Sequence, residues 1–192
     1  VTEIIYLLKA ENNLIAVDVT SNYPLEAKKL PSIGYVRQLS AEGLLSLDPT
    51  IIIGEDDMGP PSVLDQIKRT QVEITIIPEE HNVEGILNKI ECISSVIGID
   101  SEAIINSTVI PKITKLNQLT QDSKKQKIIY ILGMQSGSPL VAGNNTSGDG
   151  LIKISGGVNP FSTFEGWKPV GTESIIEASP DLIIISERGC SL

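Results

Sequence analysis

The stretch "SAEGLLSLDPTIIIGED", residues 40–56, decides the fold, because a near copy of it, "GTESIIEASPDLIIISE", occupies residues 171–187. Each copy consists of a helical pattern, a proline turn and an isoleucine-rich run, in that order. Pro49 pairs with Pro180, and the residues on both sides of them match position by position. Agreement over helix, turn and strand together indicates common architecture rather than chance. The chain is therefore predicted to contain two variants of one α/β unit.

Short runs of β-branched residues, bounded by turn residues, are predicted to form buried strands. They cover residues 13–19, 50–55, 73–79, 127–133 and 181–187. Amphipathic helical patterns lie beside them at residues 2–10, 40–47, 61–70, 148–155 and 172–178. This alternation predicts α/β layers with mainly parallel sheets, and the continuous isoleucine runs indicate sheets that are covered on both faces.

One segment, residues 83–119, interrupts the alternation with apolar residues at helical spacing. It is predicted to be a long connecting helix, with Gly98 and Pro111 as points where the helix bends or breaks. The predicted domains are an N-terminal α/β lobe over 1–82, this connecting helix, and a C-terminal α/β lobe over 120–192. Two such lobes would form a cleft, which is the usual place for a ligand in open α/β folds.

The composition disfavours several classes of function. The 192 residues are 41% hydrophobic and 20% charged, which is typical of a folded domain. The net charge of −9 argues against nucleic-acid binding, because that function normally requires a basic surface. No run of about 18 apolar residues occurs, so no membrane insertion is expected. The first residues also lack the basic region and the cleavage site of a signal peptide.

Few residues are available for catalysis. His81 is the single histidine, which argues against a Ser-His-Asp triad and against a two-histidine metal site. Cys92 and Cys190 lie far apart without a CxxC spacing. The segment "SGSPLVAG", residues 136–143, follows a predicted strand but lacks the lysine and the spacing of a P-loop. The chain is therefore expected not to be an enzyme.

Two aromatic loops are the stronger candidates for a binding site. One precedes each copy of the repeat, with Tyr35 after a glycine in the first and Trp167 after a glycine in the second. Each loop is expected on the same edge of its lobe, so that the two would face each other across the cleft. The aromatic rings would offer flat apolar surface, while Arg37, Lys168 and Arg188 would offer cations for carboxylates. This inventory favours a large flat ligand with acidic side groups.

Four segments carry a family resemblance: "DVTSNYPLEAKKLPSIGYVRQLSAEGLLSLDP" (18–49), "GPPSVLDQI" (59–67), "SPLVAGNNT" (138–146) and "FEGWKP" (164–169). Together they closely resemble the periplasmic haem-binding proteins of bacterial haem ABC importers. The resemblance implies the class III periplasmic binding protein fold, in which a long helix connects two Rossmann-like α/β lobes with parallel sheets. That fold has further elements at both ends, so the sequence is expected to be truncated at both termini.

The resemblance also implies a function and partners. The protein would capture haem, as Fe(III) protoporphyrin IX, in the inter-lobe cleft and deliver it for haem and iron uptake. The expected partners are an inner-membrane ABC permease with its ATPase and, upstream, an outer-membrane haem receptor system. A periplasmic monomer is expected. Glu55, Asp56 and Asp57 are candidates for docking the permease.

Tyr35 receives its role from the same resemblance, because the tyrosine of the GYxRxLSAEG motif is an axial ligand to haem iron in that family. The chemistry is reasonable, since a phenolate oxygen is a hard anionic donor and tyrosine is an established haem ligand. Arg37 matches the arginine of the motif. It would favour the anionic phenolate because opposite charges attract, or it would contact a haem propionate.

The second lobe is expected to supply further contacts. Lys168 and Arg188 lie in segments that line the cleft in the family, and both are predicted to pair with propionates. Trp167 either stacks on the porphyrin or packs into its own lobe. Met134 is a candidate second axial ligand or ligand contact, because a thioether can bind haem iron. His81 is expected to be an ordinary loop residue, since the family does not use this position.

Two alternatives stay open. The same scaffold could bind a ferric siderophore or cobalamin instead of haem. A different class, an α/β enzyme of nitrogenase-like or phosphate-handling type, is disfavoured by the lack of a catalytic histidine arrangement, a cysteine pair or a P-loop.

Overall fold

The structure, a computed structural model, describes residues 1–121 and 124–186. The chain separates into two compact units. The first unit comprises Val1–Glu79 and Leu87–Ser107, and the second comprises Glu80–Ile86 with the residues from Thr108 onward. The predicted connector, residues 83–119, is thus shared between both units, and the predicted domain limits stay predictions.

The first unit begins with helices and short 3-10 turns around a small parallel sheet. Its elements in chain order are α1 (Thr2–Leu7), 3-10 turns at Glu11–Asn13, Leu25–Lys29 and Val36–Gln38, α2 (Ala41–Leu45), β1 (Ile51–Gly54), α3 (Pro61–Ile67) and β2 (Glu73–Ile76). Strands β1 and β2 are parallel, with Ile51 opposite Glu73 and Gly54 opposite Ile76. A helix lies between the two strands in sequence, as a parallel connection requires.

The first unit's core lies where α2, α3 and β1 meet. Ser40 caps α2 by accepting a hydrogen bond from the Gly43 N–H at 3.2 Å, which sets the start of the helix. The buried side chains of this core are Leu39, Leu44, Ile52, Met58 and Ile67. A Cβ at position 54 would lie 2.7 Å from the Met58 Sδ, so glycine at 54 lets Met58 reach the core. Each such buried apolar side chain stabilises the fold by about 1.5–3 kcal/mol.

The prediction of a strand over residues 13–19 is wrong. Glu11–Asn13 forms a 3-10 turn, and Val17 makes only an isolated bridge to Ser32. The Val17 N–H donates to the Pro31 carbonyl, and Val17 in turn accepts from the Ile33 N–H. Pro31 has no N–H of its own, so this ladder cannot continue past it.

The predicted connecting segment over residues 83–119 is mostly helical, and it is interrupted near Gly98 as expected, whereas Pro111 lies within the helix Ile110–Gln121. Helix α4 (Val83–Val96) ends at Val96, and Gly98, with a φ of +70°, closes it in a left-handed turn. The chain then forms α5 (Glu102–Ile104), a wider π turn (Ile105–Val109) and α6 (Ile110–Gln121). Within the described ranges, no helix combines the length and the apolar character needed to cross a membrane.

The second unit contains a four-stranded sheet. Its elements are β3 (Ile128–Gln135), β4 (Ser138–Ala142), α7 (Ser147–Ile154), β5 (Trp167–Pro169), α8 (Thr172–Ala178) and β6 (Leu182–Ile185), and the strand order is β5-β4-β3-β6. Only β3 and β6 are parallel, whereas β3–β4 and β4–β5 are antiparallel. The prediction of parallel sheets therefore fails in this unit.

The reason is a tight hairpin within the segment 136–143. Ser136 and Gly137 have φ values of +52° and +82°. Positive φ at both central residues is the signature of a two-residue hairpin turn, which joins antiparallel strands only. The segment is thus a turn followed by β4, and not a phosphate-binding loop.

A buried polar network holds α7 to the sheet of the second unit. The Asp149 carboxylate, only 2% exposed, accepts a hydrogen bond from Asn159 Nδ2 at 2.9 Å and pairs with Lys153 Nζ at 2.6 Å. Asn159 Nδ2 also donates to the Ala142 carbonyl at 3.0 Å. Thr146 caps the helix by accepting from the Asp149 N–H at 3.1 Å. The network fixes α7 relative to β4.

The internal repeat is confirmed in three dimensions. Helix α2 and strand β1 of the first copy correspond to α8 and β6 of the second, and the strands begin and end at matched positions. Asp48 and Ser179, which occupy equivalent positions just before the prolines, have φ values of +49° and +47°. Two left-handed non-glycine residues at one repeat position show that the copies share the geometry of this turn.

Candidate functional site

Tyr35 projects from a short loop of the first unit. Gly34, with a φ of +84°, reverses the chain before it, and Gln38 N–H donates to the Tyr35 carbonyl at 2.8 Å to close the 3-10 turn. Ile33 and Val36, which flank the Gly34–Tyr35 pair, pack against the core of the first unit. Tyr35 itself is 40% exposed. The loop therefore presents a phenol at the surface while its neighbours anchor the backbone.

Backbone hydrogen bonds hold this loop on two sides. On one side the Val19 N–H donates to the Gly34 carbonyl at 3.0 Å. On the other, the Gly59 N–H donates to the Val36 carbonyl at 3.0 Å, and the Leu39 N–H donates to the Gly59 carbonyl at 2.9 Å. A loop with this many internal bonds keeps its side chains in defined places.

Arg37 forms an ion pair next to Tyr35. Its Nε donates to Asp57 Oδ2 at 3.1 Å, and its Nη2 lies 3.0 Å from the same oxygen. The hydrogen bond to Asp57, followed by the electrostatic interaction with Tyr35, raises the pKa of the Arg37 guanidinium above its ordinary value. The two side chains are 61% and 36% exposed, so the pair contributes at most about 1 kcal/mol to stability. The main effect of the ion pair is to orient the Arg37 guanidinium, not to stabilise the fold.

Asp18 organises the segment that runs beside the Tyr35 loop. The carboxylate accepts from the Thr20 N–H at 2.6 Å, from the Thr20 hydroxyl and from the Ser21 hydroxyl at 2.8 Å. Burial by itself would raise the pKa of Asp18, but these hydrogen bonds outweigh burial and lower it. This turn keeps Val19 in position to bond Gly34.

In the second unit, Trp167 packs inside its own unit. Its ring lies 5.8 Å from the Tyr130 ring at 64°, an edge-to-face contact. A Cβ at position 148 would lie 2.9 Å from the indole, so Gly148 of α7 makes room for it. Trp167 is half-buried on the face of the sheet that α7 covers.

Lys168 and Met134 lie on the other face of the same sheet. Lys168 is opposite Val141 of β4. Met134 is opposite Pro139, which lies two residues before Val141 in the same strand. Opposed residues, and residues two apart in a strand, share a face, whereas consecutive residues such as Trp167 and Lys168 do not. Met134 is 44% exposed, and Lys168 is exposed. The structure thus brings these two residues to one surface and separates them from Trp167.

The other residues singled out in the sequence are Arg188, the two cysteines and His81. Arg188 and Cys190 lie outside the described residues, and Cys92 is half-buried in α4. His81 lines a polar pocket of about 310 Å³ in the second unit with Asn82, Asn144, Asn145, Asp149, Lys153 and Glu165. An apolar cavity of about 550 Å³ lies in the first unit, and neither this cavity nor the polar pocket is lined by Tyr35, Arg37, Met134, Trp167 or Lys168. Tyr35, Met134 and Lys168 are instead exposed at the surfaces of their units.

Comparison with known proteins gives the family. The profile of the family described as "Periplasmic binding protein" matches residues 1–191 of the chain. The chain belongs to the periplasmic binding protein family. Members of this family are solute carriers and not enzymes, which confirms the expectation that the chain has no catalytic activity.

Solved structures agree with this assignment. The periplasmic haem-binding protein HutB of Vibrio cholerae is 34% identical, with a TM-score of 0.86 over 99% of this chain and 74% of that protein. The haem-binding protein RhuT from Roseiflexus sp. RS-1 is 32% identical, with a TM-score of 0.89 over 98% of this chain and 73% of that protein. These similarities confirm the class III periplasmic binding protein fold.

A curated relative has a different ligand in its name. The vitamin B12-binding protein of Vibrio parahaemolyticus is 27% identical over 194 residues, which cover 99% of this chain and 69% of that protein. The periplasmic binding protein family therefore includes proteins named for haem and for cobalamin among the relatives of this chain.

Two of the three acids proposed to dock a permease are engaged within the first unit. Lys89 Nζ donates to Glu55 Oε1 at 2.8 Å, and both side chains are mostly buried. Asp57 holds Arg37, as described above, whereas Asp56 is exposed. The pairing of Asp57 with Arg37 was missed in the sequence because twenty residues separate the two, and no motif in the sequence marks it.

Proposed function

We propose that this periplasmic binding protein carries haem in the periplasm, with Tyr35 as an axial ligand to Fe(III). The observation that carries the proposal is the exposed Tyr35 phenol on an anchored loop, with the Arg37 cation beside it. The similarity to haem-binding proteins at 30–34% identity supports haem as the ligand class. A phenolate is a hard anionic donor and suits ferric haem.

The second unit is proposed to contact the porphyrin edge through Lys168 and Met134. Both lie on one sheet face, and Lys168 Nζ is 5.3 Å from the centre of the Phe164 ring. A lysine ammonium at a surface of this kind suits a propionate carboxylate. Arg188 is retained as a second propionate partner, and Met134 as a contact or second axial ligand. Trp167, packed against Tyr130, is assigned a supporting position beneath the sheet.

Cobalamin is the alternative ligand, and the curated relatives favour it, because the first of them are named as vitamin B12-binding proteins. A ferric siderophore is a further bulky ligand for this scaffold. Tyr35 distinguishes haem from a ferric siderophore. Haem iron has an open axial position for a phenolate, whereas the iron of a ferric siderophore is already enclosed by its own donors.

The test is a titration of the protein with haem and, separately, with cyanocobalamin. We expect haem to bind with a phenolate-to-iron charge-transfer band in its absorption spectrum, and we expect that band to disappear in Tyr35→Phe. Tyr23→Phe is the matched control, because Tyr23 is a more exposed tyrosine of the same unit, at 66%. Loss of the band in both variants, or in neither, would exclude Tyr35 as the specific ligand. Binding of cyanocobalamin in preference to haem would establish the alternative.

Delivery to an inner-membrane ABC permease and its ATPase follows from the proposed role. The expectation of a monomer and of an upstream outer-membrane haem receptor remains a prediction. Since Glu55 is paired with Lys89 and Asp57 with Arg37, Asp56 is the acid of this group that is best placed to meet a basic partner. Haem transfer from the loaded protein to permease in vesicles, compared between wild type and Asp56→Asn, measures that contribution.

A further inference from the structure

Phe164 lies in the loop just before β5, and its ring carries the ammonium group of Lys168. The Lys168 Nζ lies 5.3 Å from the centre of the Phe164 ring, within the roughly 6 Å over which an aromatic face attracts a cation. Phe164 is half-buried, whereas Lys168 is exposed. A ring that is partly held in the protein thus meets a cation that is otherwise surrounded by solvent.

The Phe164 ring is fixed by what it packs against. A Cβ at position 143 would overlap the ring, so glycine at this position lets the ring lie directly on the backbone that follows β4. The Phe161 ring lies beside it, with the two ring centres 6.0 Å apart and the planes at 40°. Contact with backbone and with a second ring leaves the Phe164 ring few orientations.

Backbone hydrogen bonds also fix the loop that carries Phe164. The Asn144 N–H donates to the Phe164 carbonyl at 2.7 Å, and the Gly166 N–H donates to the Asn144 carbonyl at 3.0 Å. The Gly143 N–H donates to the Gly166 carbonyl at 2.9 Å. The Asn144 side chain adds a bond from Nδ2 to Glu165 Oε1 at 2.7 Å. The ring therefore has a defined position relative to β4 and β5.

A fixed ring limits the freedom of the Lys168 side chain. An exposed lysine samples many rotamers, and a ligand that orders it has to offset the entropy that is lost. Attraction to the Phe164 ring restricts the ammonium before a ligand arrives. The ammonium has three donors, so it can lie over the ring and still donate to a carboxylate.

We propose that Phe164 is a positioning residue: its ring holds the Lys168 ammonium where a carboxylate of the bound ligand meets it. The inference rests on the proposed function, in which Lys168 pairs with a haem propionate. Removal of the ring leaves the positive charge in place but lets it move. The expected loss of haem affinity is about two- to tenfold, which corresponds to ordering one flexible side chain on binding.

The first experiment uses the ligand-free protein. Reductive methylation with ¹³C-formaldehyde gives each lysine an NMR signal and keeps its positive charge. The Lys168 signal is identified by its absence from Lys168→Arg. It is expected upfield of the signals of other exposed lysines, because the ring current of Phe164 shields groups above its face.

Substitutions at the two rings test the origin of that shift. Phe164→Leu keeps an apolar side chain without a ring, so the Lys168 signal should move downfield to the position of the other exposed lysines. Phe164→Tyr keeps the aromatic face and should keep the signal upfield. Phe161→Leu is the matched control, since it removes the neighbouring ring, and the Lys168 signal should stay upfield.

The second experiment compares the binding of haem with that of haem dimethyl ester, in which both propionates are esterified. Phe164→Leu should bind haem about two- to tenfold more weakly and should bind the ester as wild type does. Phe164→Tyr should restore the affinity for haem. Phe164→Leu combined with Lys168→Ala should lose no more affinity than Lys168→Ala alone, because the ring acts only through the lysine.

Three results would overturn the inference. One is a wild-type Lys168 signal at the position of the other exposed lysines, and another is a Lys168 signal that Phe164→Leu leaves upfield. The third is an equal loss of affinity for haem and for its ester in Phe164→Leu. Failure of the proposed function looks different: a Lys168→Ala protein with wild-type haem affinity refutes the propionate contact, and the NMR result still decides whether Phe164 positions Lys168.

Discussion

Replacing Asp149 by alanine is expected to destabilise the second unit by about 2–4 kcal/mol. The carboxylate is only 2% exposed and has a partner for each oxygen, Asn159 at 2.9 Å and Lys153 at 2.6 Å. A buried donor that loses a charged acceptor costs about 1–3 kcal/mol, and the lost pairing with Lys153 adds about 1 kcal/mol, because the lysine is 56% exposed and returns to water easily. Asn159 retains the Ala142 carbonyl, which limits the total.

Asp149→Asn separates the two contributions. The amide oxygen can still accept from Asn159, so this variant loses mainly the charge interaction and is expected to cost about 1 kcal/mol. Lys153→Met removes the same charge pair from the exposed side and should lose a similar amount. The predicted order of stability is therefore wild type, then Asp149→Asn and Lys153→Met together, then Asp149→Ala.

The assay is urea unfolding followed by tryptophan fluorescence. The chain has a single tryptophan, Trp167, which lies in β5 and packs against Tyr130 and Gly148, so its emission reports on the second unit specifically. A local reporter is needed because a chain of two units is not expected to unfold in one step. Equal losses for Asp149→Ala and Asp149→Asn would refute the reasoning, since they would mean that the hydrogen bond to Asn159 contributes nothing.

Three further outcomes are expected. Gly34→Ala places a side chain at a φ of +84° and should lower the stability of the first unit by about 1 kcal/mol. It should also weaken haem binding, because Tyr35 would be displaced. A stable Gly34→Ala variant that binds haem with wild-type affinity would contradict this prediction. Asp18 has a folded-state pKa below its unfolded value, so its stabilisation is present above about pH 4 and is lost as the pH falls through the folded-state pKa. Urea unfolding at several pH values, followed by far-UV circular dichroism, should show a smaller acid loss in Asp18→Asn than in wild type. Gly148→Val should shift the Trp167 emission maximum, because a Cβ there already lies 2.9 Å from the indole; an unchanged spectrum would count against that packing.

Sequence patterns correctly predicted the parts of the fold that depend on residues close together in the chain. The repeat of helix, proline turn and strand is encoded within about seventeen residues, and both copies adopt it. Gly98 ends a helix for a reason that is also local, its left-handed conformation. The helices at residues 61–70 and 148–155 were placed within a few residues of α3 and α7 for the same reason.

The errors have non-local causes. Residues 13–19 have the composition of a strand, but a strand needs a partner, and Pro31 offers only a carbonyl. Strand β5 is three residues long and ends in Pro169, so no pattern in the sequence identifies it. The Ser136–Gly137 turn depends on two positive φ values, and only glycine signals such a value in a sequence.

The candidate site shows the same division. The glycine-led loop marks Tyr35, and the structure places its phenol at the surface on an anchored backbone. The separation of Trp167 from Lys168 and Met134 depends on strand register, which the sequence does not reveal. Asp57 became visible as the partner of Arg37 only when two loops were seen to be joined through Gly59.

The left-handed residues at Asp48 and Ser179 offer a way to adjust each unit separately. Both occupy a conformation that glycine adopts more easily, so Asp48→Gly and Ser179→Gly should each stabilise the chain by up to about 1 kcal/mol. The first change acts in the unit that carries Tyr35, and the second acts in the unit that carries Lys168. An experimenter can thus strengthen one half of the binding protein while the other stays as a reference, and learn which half limits its lifetime when ligand is absent.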